Sequence, residues 1–580
     1  MLSLKGIIYV LVVQIACVFA CFASDQVRLW TVDSMTRISP TEALRNNNHV
    51  FLEAAINEWE SFQVIATGNS ADLSAGKPSL APFQSNNSLL ETEPEIFLQH
   101  YVEVTQSSER SALPTGFYPD ALIPVSKGKS LPIIQSPEKS INQPFWVDVH
   151  IPEETRPGIY TSRFSFQLGP KEISIPITLK VWDFKLPSHP TLQSCFGLDH
   201  QRLAEIYAYD RNTAPLNKIT RQFEDLLAQH YLSPEGFIGS IDPDTDSSSA
   251  TLDAPNSPWI GTPADVASHF LEDHRLTTFT IPFWPDWPFS DPLGRDRLSA
   301  QTYLSNYISA FSTSQPSSSL IAHCGYIDEP DSLSEYQQAR EWGQFYNELE
   351  ELFEVRLPML LTEQPQPDQT AFGSLAGSVD IWSVHVSDLW DDIHGTGNRQ
   401  TQVQLEEGDQ IWLYAALVCL SEHWNATHGK PLKLGGGQPP VWLLDYPPLN
   451  YRIWSWVAHH YGISGVQYWA TVDSRPENDP WRNAATFADE TDIYNGDGLL
   501  IYPALRELHG FDGPVASLRL KWIRDAFEDH AYLQLLREIQ GDAVANQLAN
   551  QIARNIGDWE NDTTALFSVR QQISNLLASK

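Results

Sequence analysis

The run Leu320-Ile321-Ala322-His323-Cys324-Gly325-Tyr326-Ile327 leads straight into Asp328-Glu329-Pro330. Its apolar start reads as a buried strand. Neighbouring side chains along a strand point to opposite faces, so two adjacent carboxylates serve one site only where the strand ends. Pro330 marks that end, because it has no N–H for a further ladder bond. By itself an Asp-Glu-Pro turn is an ordinary solvated loop or helix N-cap. At the carboxyl end of a strand in a β/α barrel, it would sit where catalytic groups collect.

The flanking sequence is of the barrel kind. Strand candidates recur at Leu192–Asp199, Gly236–Gly239, Thr277–Phe283, Leu320–Ile327, Leu357–Thr362, Asp380–Val386, Gln410–Val418 and Gly465–Val472. Helical segments separate most of them. In the clearest, Leu333 to Phe353, the residues Leu333, Tyr336, Ala339, Trp342, Phe345, Leu349 and Leu352 mark one face. Shorter helices fall around Phe270-Leu271, at Tyr303–Phe311 and at Tyr451–Tyr461, and Ser517–Leu536 closes the series. Eight strand–helix units indicate a (β/α)8 barrel of the TIM type spanning 191–540. Residues 541–580 read as a polar helical extension outside it.

Upstream the period changes. From Val27 to about Asp183, short alternating runs such as Glu60-Ser61-Phe62-Gln63-Val64-Ile65 and Phe145-Trp146-Val147-Asp148-Val149 are punctuated by Pro, Gly and Asn. This pattern predicts an antiparallel β-sandwich over 25–187, and Leu186-Pro187-Ser188-His189-Pro190 reads as the linker to the barrel. Residues 1–24 read as a signal peptide: Lys5, the apolar segment Gly6 to Ala20, then small residues near Ala23. Val18-Phe19-Ala20-Cys21 offers a lipid-modified end as an alternative. The expected location is therefore secreted or periplasmic, with no second apolar segment of spanning length in the mature chain.

Composition narrows the partners. A formal charge of −35 argues against nucleic acid, whose phosphates need basic patches. The 19 Trp residues suit a sugar-binding protein, because indoles stack on apolar sugar faces, although many must be core. Cys195, Cys324 and Cys419 are too far apart for a metal site or a disulfide framework and read as buried thiols.

Polar and aromatic residues cluster at the predicted strand ends: Asp199 and His200 after the first strand, Trp284 and Asp286 after the third, and Asp328 and Glu329 after the fourth. Glu363 follows the fifth, His385 and Asp388 the sixth, and Trp469 and Asp473 lie in and after the eighth. Carboxylates, imidazoles and indoles around one rim are what glycoside hydrolysis requires. An acid protonates the leaving oxygen, a second group stabilises the oxocarbenium-like centre, and aromatic faces hold the ring. Each residue also has a plain reading: the histidines as structural, Trp284 and Trp287 as packing aromatics, Glu363 as a rim hydrogen-bonder, Asn478-Asp479-Pro480-Trp481 as a turn. No phosphate loop or Ser nucleophile elbow is present, and nothing calls for a metal or organic cofactor.

Several segments together resemble the bacterial glycoside hydrolases of family 123 and the larger domain-of-unknown-function group related to them. These are Asn57-Glu58-Trp59-Glu60-Ser61-Phe62-Gln63, Phe145 to Pro152 with Pro157-Gly158-Ile159-Tyr160, and Val181-Trp182-Asp183-Phe184-Lys185-Leu186-Pro187. Asp328-Glu329-Pro330, Tyr461 to Trp469, Gly496 to Pro503, and Ser517-Leu518-Arg519-Leu520 through Arg524-Asp525 to Glu528-Asp529 complete the set. The resemblance implies an exo-acting, retaining β-N-acetylgalactosaminidase-like enzyme built of a sandwich and a barrel. In that scheme Glu329 is the general acid and later the base. Asp328 orients the substrate's 2-acetamido group, whose carbonyl oxygen attacks the anomeric carbon. Such a mechanism departs from the two-carboxylate scheme and explains how the carboxylates can be sequence neighbours. By position, His200, Trp284, Trp382, His385, Tyr414, Trp469 and Asp473 are the candidates for holding the glycan. Two alternatives remain: a glycosidase for a sugar without the acetamido group, using Glu363 or Asp473 as nucleophile, and a carbohydrate-binding protein without turnover.

Overall fold

The computed structural model describes residues 27–85, 88–111, 113–126, 140–210, 213–235, 269–270, 276–281, 283–286, 288–312, 320–365, 372–389, 399–417, 440–473, 479–488 and 492–579. The signal segment, the strand expected at Gly236–Gly239, Trp287, Cys419 and Asn478 lie outside the described residues.

Nine strands form the N-terminal part. They are β1 (Arg28–Asp33), β2 (Val50–Ile56), β3 (Trp59–Gly68), β4 (Lys77–Leu80), β5 (Glu95–Val104), β6 (Gly116–Pro124), β7 (Ile141–His150), β8 (Gly158–Leu168) and β9 (Lys171–Lys185). One sheet has the order β1-β3-β7-β5-β6 and is antiparallel throughout; the other has the order β2-β9-β8-β4. Alternating apolar residues of both sheets, among them Leu52, Phe62, Val64, Leu98, Phe145, Val147, Phe164, Ile177 and Leu179, share one buried cluster. The all-antiparallel expectation needs one correction, because β2 pairs with β9 in parallel. β2 and β3 lie in different sheets, joined by a turn at Asn57-Glu58. Asn57 is left-handed (φ 63), a conformation Asn tolerates better than most residues. The turn carries the chain from one sheet to the other instead of folding β2 back on β3.

Seven strands form a parallel sheet: β10 (Gln193–Phe196), β11 (Phe279–Thr280), β12 (Leu320–Asp328), β13 (Met359–Thr362), β14 (Ile381–His385), β15 (Gln410–Tyr414) and β16 (Gly465–Tyr468). Their order is β10-β16-β15-β14-β13-β12-β11, a nearly closed barrel. Between its two edges, Phe196 of β10 bridges Pro234, and the Thr278 hydroxyl donates to the Ser194 carbonyl at 2.7 Å. Seven of the eight expected strands are thus present among the described residues, in the expected chain order. The helix Leu333–Phe353 begins at a capping box, Ser332 with Glu335. It buries Tyr336, Ala339, Trp342, Phe345 and Leu349, while the terminal Leu333 and Leu352 are exposed.

The helix Leu518–Gln540 ties the two parts together. It is buried on nearly every side, charged residues included, which requires that its charges be paired. Arg519 meets Asp120 of β6 at 2.9 Å, and Lys521 and Arg524 meet Asp148 of β7 at 2.7 and 3.0 Å. Arg452 and Arg570 both reach Asp529, and Arg570 also pairs with Glu58 and Glu60. Burial, partly offset by Arg570, pushes the Glu60 carboxyl up to about 8. The C-terminal residues differ from the expected polar extension. The helices Asp542–Ala549 and Thr563–Ala578 bury Leu548, Leu566, Ile573 and Leu577 in the barrel's apolar cluster. Arg570 carries the last helix onto the β-rich part. Among the described residues no helix is long and apolar enough to cross a membrane.

Candidate active site

Asp328 is the last residue of β12, and the strand's register against β13 slips between His323 and Asp328. The slip reflects a chain that stops being regular just before the carboxylates. Glu329 follows with φ 46. A residue before proline is normally driven to extended backbone, so this left-handed turn is imposed by the surroundings. Both side chains are exposed at the carboxyl end of the sheet. They are held by different strands. The Thr362 hydroxyl, at the end of β13, donates to Asp328 Oδ1 at 2.6 Å. The Tyr414 hydroxyl, at the end of β15, donates a short hydrogen bond to Glu329 Oε1. Since β15 lies three strands from β12, Glu329 reaches across the barrel mouth while Asp328 turns to its neighbour.

His385, the last residue of β14, stands edge-on to Tyr414 with ring centroids 5.1 Å apart. Its Nε2 lies 3.3 Å from the Ala416 carbonyl, which places the proton on that nitrogen. Burial lowers its pKa to about 4, so the ring is neutral at ordinary pH and packs against the tyrosine. Trp469 follows β16 and is 39% exposed, with its indole N–H 3.3 Å from Asp497 Oδ2. Asp497 also accepts from the Tyr468 hydroxyl at 3.1 Å and the Leu417 N–H at 3.4 Å. Burial pushes this carboxyl up to about 6 against those donors. Asp473 lies alongside: its N–H donates to the Gly498 carbonyl at 2.8 Å, and Oδ1 is 3.7 Å from Arg202.

Gly498 makes room for the Trp469 indole. Its φ is 68, and a Cβ there would lie 2.4 Å from the indole ring and 3.0 Å from Asp473. Both features demand glycine. Gly498→Ala is expected to displace the indole and raise KM about tenfold or more with a smaller change in kcat. Unchanged KM for the hydrolysed substrate would show that the indole does not contact it.

Other candidates fall elsewhere. Trp382 is a correction: it is 2% exposed, in the apolar cluster, and its N–H bonds to Asp409, just before β15 begins. Being the second residue of β14, it lies toward the amino end of the barrel, away from the carboxylates. His200 opens the helix His200–Tyr207 as Asp199 caps it, and its Nε2 is 3.7 Å from Glu224. Burial lowers its pKa. Trp284 is 45% exposed beyond β11. Glu363 accepts from the Tyr336 hydroxyl at 3.1 Å and from the Gln364 N–H at 2.7 Å, turned toward the helix Leu333–Phe353. Thr362, Tyr468 and Asp497 were missed as rim residues. For Asp497 a signal existed, a single carboxylate flanked by glycines in Gly496-Asp497-Gly498. Among the described residues, no group of three His, Cys, Asp or Glu side chains is placed to hold a metal ion.

No family model and no curated protein matches the sequence. A solved family 123 glycoside hydrolase from Clostridium perfringens, studied for glycolipid glycan hydrolysis, superposes with a TM-score of 0.62. The match covers 96% of this chain and 98% of that one at 14% identity. The chain has the fold of a family 123 glycoside hydrolase. An endo-β-1,4-mannanase from Thermotoga petrophila (TM-score 0.31, 10% identity, 60% and 77% of the two chains) is far more distant. So is a β-glucuronidase from Parabacteroides merdae (0.27, 10%, 88% and 52%). The superposition spans both the β-rich part and the barrel, so the likeness is to the two parts together. Fold alone does not give chemistry; that rests on the rim residues.

Proposed function

We propose that the chain is an exported, exo-acting, retaining glycoside hydrolase that removes terminal β-linked 2-acetamido sugars of the GalNAc kind by substrate assistance. In this reading a β-sandwich over 25–187 supports a (β/α)8 catalytic barrel over 191–540, with 541–580 as its C-terminal brace. Residues 1–24 direct export. The substrate is a glycan, and no cofactor takes part.

The observation that carries the reading is the separate anchoring of two sequence-adjacent carboxylates, Asp328 by Thr362 and Glu329 by Tyr414. A conventional retaining site sets two carboxyl groups ~5–5.5 Å apart across the sugar, one as nucleophile. Of the carboxylates considered for that part, Glu363 is tied to Tyr336 and Asp473 lies beside Arg202. With the acetamido oxygen as nucleophile, none is needed. Glu329 gives its proton to the glycosidic oxygen as the C1–O bond breaks. The acetamido carbonyl oxygen closes on C1, forming an oxazoline-type ring, while Asp328 accepts from the amide N–H. Water then adds to C1, losing its proton to Glu329 as the ring opens. Trp469 offers a stacking face, and His385 supports Tyr414.

The test is release of nitrophenol from the para-nitrophenyl β-glycosides of GalNAc, GlcNAc, galactose and glucose. Turnover is expected for the acetamido sugars only, with inhibition by a thiazoline analogue of the cyclic intermediate. Turnover confined to galactoside or glucoside would overturn the substrate-assisted mechanism and direct attention to Glu363 and Asp473.

A further inference from the structure

One hydroxyl joins the Asp328 carboxylate to the Glu329 peptide N–H. Thr362 Oγ1 donates to Asp328 Oδ1 at 2.6 Å and accepts the Glu329 N–H at 3.2 Å. Thr362 is buried, ends β13, and pairs in register with Asp328. A hydroxyl has a single proton. Because that proton goes to Asp328, the remaining lone pairs take the Glu329 N–H.

The backbone shows what this accomplishes. Glu329 stands at φ 46 immediately before Pro330, where proline disfavours helical backbone and favours an extended residue. A non-glycine residue in the left-handed region is strained by its own Cβ, so neighbours must hold it there. An extended Glu329 would continue the alternation of β12 and point away from the face of Asp328.

We propose that Thr362 is a positioning residue whose hydroxyl holds the Glu329 peptide in its left-handed turn and fixes the Asp328 carboxyl. One side chain thereby fixes the placement of both reacting groups at the mouth of the barrel. The proposal rests on Asp328 and Glu329 being the reacting pair, but not on the sugar being an acetamido one.

The experiment compares Thr362→Val, isosteric but without the hydroxyl, with Thr362→Ser, which keeps it. Kinetics use whichever para-nitrophenyl glycoside the wild type hydrolyses, and crystal structures are determined for both variants. Thr362→Val is expected to lower kcat about 10- to 100-fold, since a misplacement of about 1 Å costs that much. KM should change little, because the loss falls on the transition state. Thr362→Ser should recover most of the rate. In the Val crystal Glu329 should leave positive φ and part from Tyr414. Glu329 remaining near φ 46 without the hydroxyl, an unchanged kcat in Thr362→Val, or failure of Ser to rescue would each overturn the proposal. Turnover only of sugars lacking the acetamido group would remove the substrate-assisted mechanism while leaving this comparison valid. If the wild type turns over none of the glycosides, the crystallographic comparison decides alone.

Discussion

Glu329→Gln is expected to lower kcat on a β-linked acetamido disaccharide by about 10²–10⁴-fold, the usual contribution of a positioned general acid. Gln matches Glu in shape, and its carbonyl oxygen still accepts from the Tyr414 hydroxyl that holds Glu329. The loss would therefore be that of the proton, not of the fold. A sugar alkoxide is a poor leaving group and needs protonation as the bond breaks; nitrophenolate needs it far less. The defect should thus be larger on the disaccharide than on the nitrophenyl glycoside. Added azide should restore part of the second step, because it attacks without a base. Asp328→Asn should behave differently, weakening the acetamido thiazoline more than the product sugar. Wild-type turnover of the disaccharide by Glu329→Gln would remove Glu329 from the role of acid.

The largest effect on stability is expected at Asp148. This carboxylate of β7 is fully buried and accepts from Ser61 Oγ at 2.5 Å and Trp146 Nε1 at 2.7 Å, besides pairing with Lys521 and Arg524. Burial would raise its pKa, but the two cations outweigh burial and hold it well below the usual carboxylate range. Asp148→Ala would take the shared carboxylate from two buried cations between the β-rich part and the barrel, leaving Arg524 with Asp525 at 3.0 Å. Breaking a buried pair from one side costs about 3–5 kcal/mol, read as a lower denaturation midpoint. The sign with pH follows from the depressed pKa. The stabilisation is fully present above the unfolded carboxyl pKa of about 3.9 and is lost as pH falls below it toward the folded value. The variant should therefore lose most of its deficit relative to wild type in acid. An Asp148→Ala protein with wild-type stability at neutral pH would mean the two parts hold together without this cluster.

Much of the architecture was legible because periodicity is a local property. Alternation to Asp183 and then apolar runs separated by helical segments reflect burial on one face or on both. Seven of the eight expected strands, those among the described residues, follow from it. The parallel β2–β9 pairing was not legible, since it joins strands more than a hundred residues apart, where no local period acts. The C-terminal residues were misjudged for a related reason. Arg570 lies in the stretch read as a polar helical extension, yet it pairs with Glu58, Glu60 and Asp529. Those acids lie in the segments around Asn57-Glu58-Trp59-Glu60 and Glu528-Asp529 that carried the family resemblance. Such segments turn out to be ionic ties between the two parts as much as marks of a site.

By itself the sequence determined the order of elements and the stretch where two carboxylates meet a strand end, because hydrophobic period and proline act within a few residues. Only the tertiary structure decided which side chains stand around that stretch. Trp382 and Tyr414 both sat in apolar runs with nothing local to tell them apart. Their places along β14 and β15 put one indole toward Asp409 at the amino end and one hydroxyl on Glu329 at the carboxyl end. The left-handed turn at Glu329 belongs to the same class, since it opposes the local preference set by Pro330. A threonine on the neighbouring strand accepts its N–H, and that bond exists only once the barrel has brought β12 and β13 side by side.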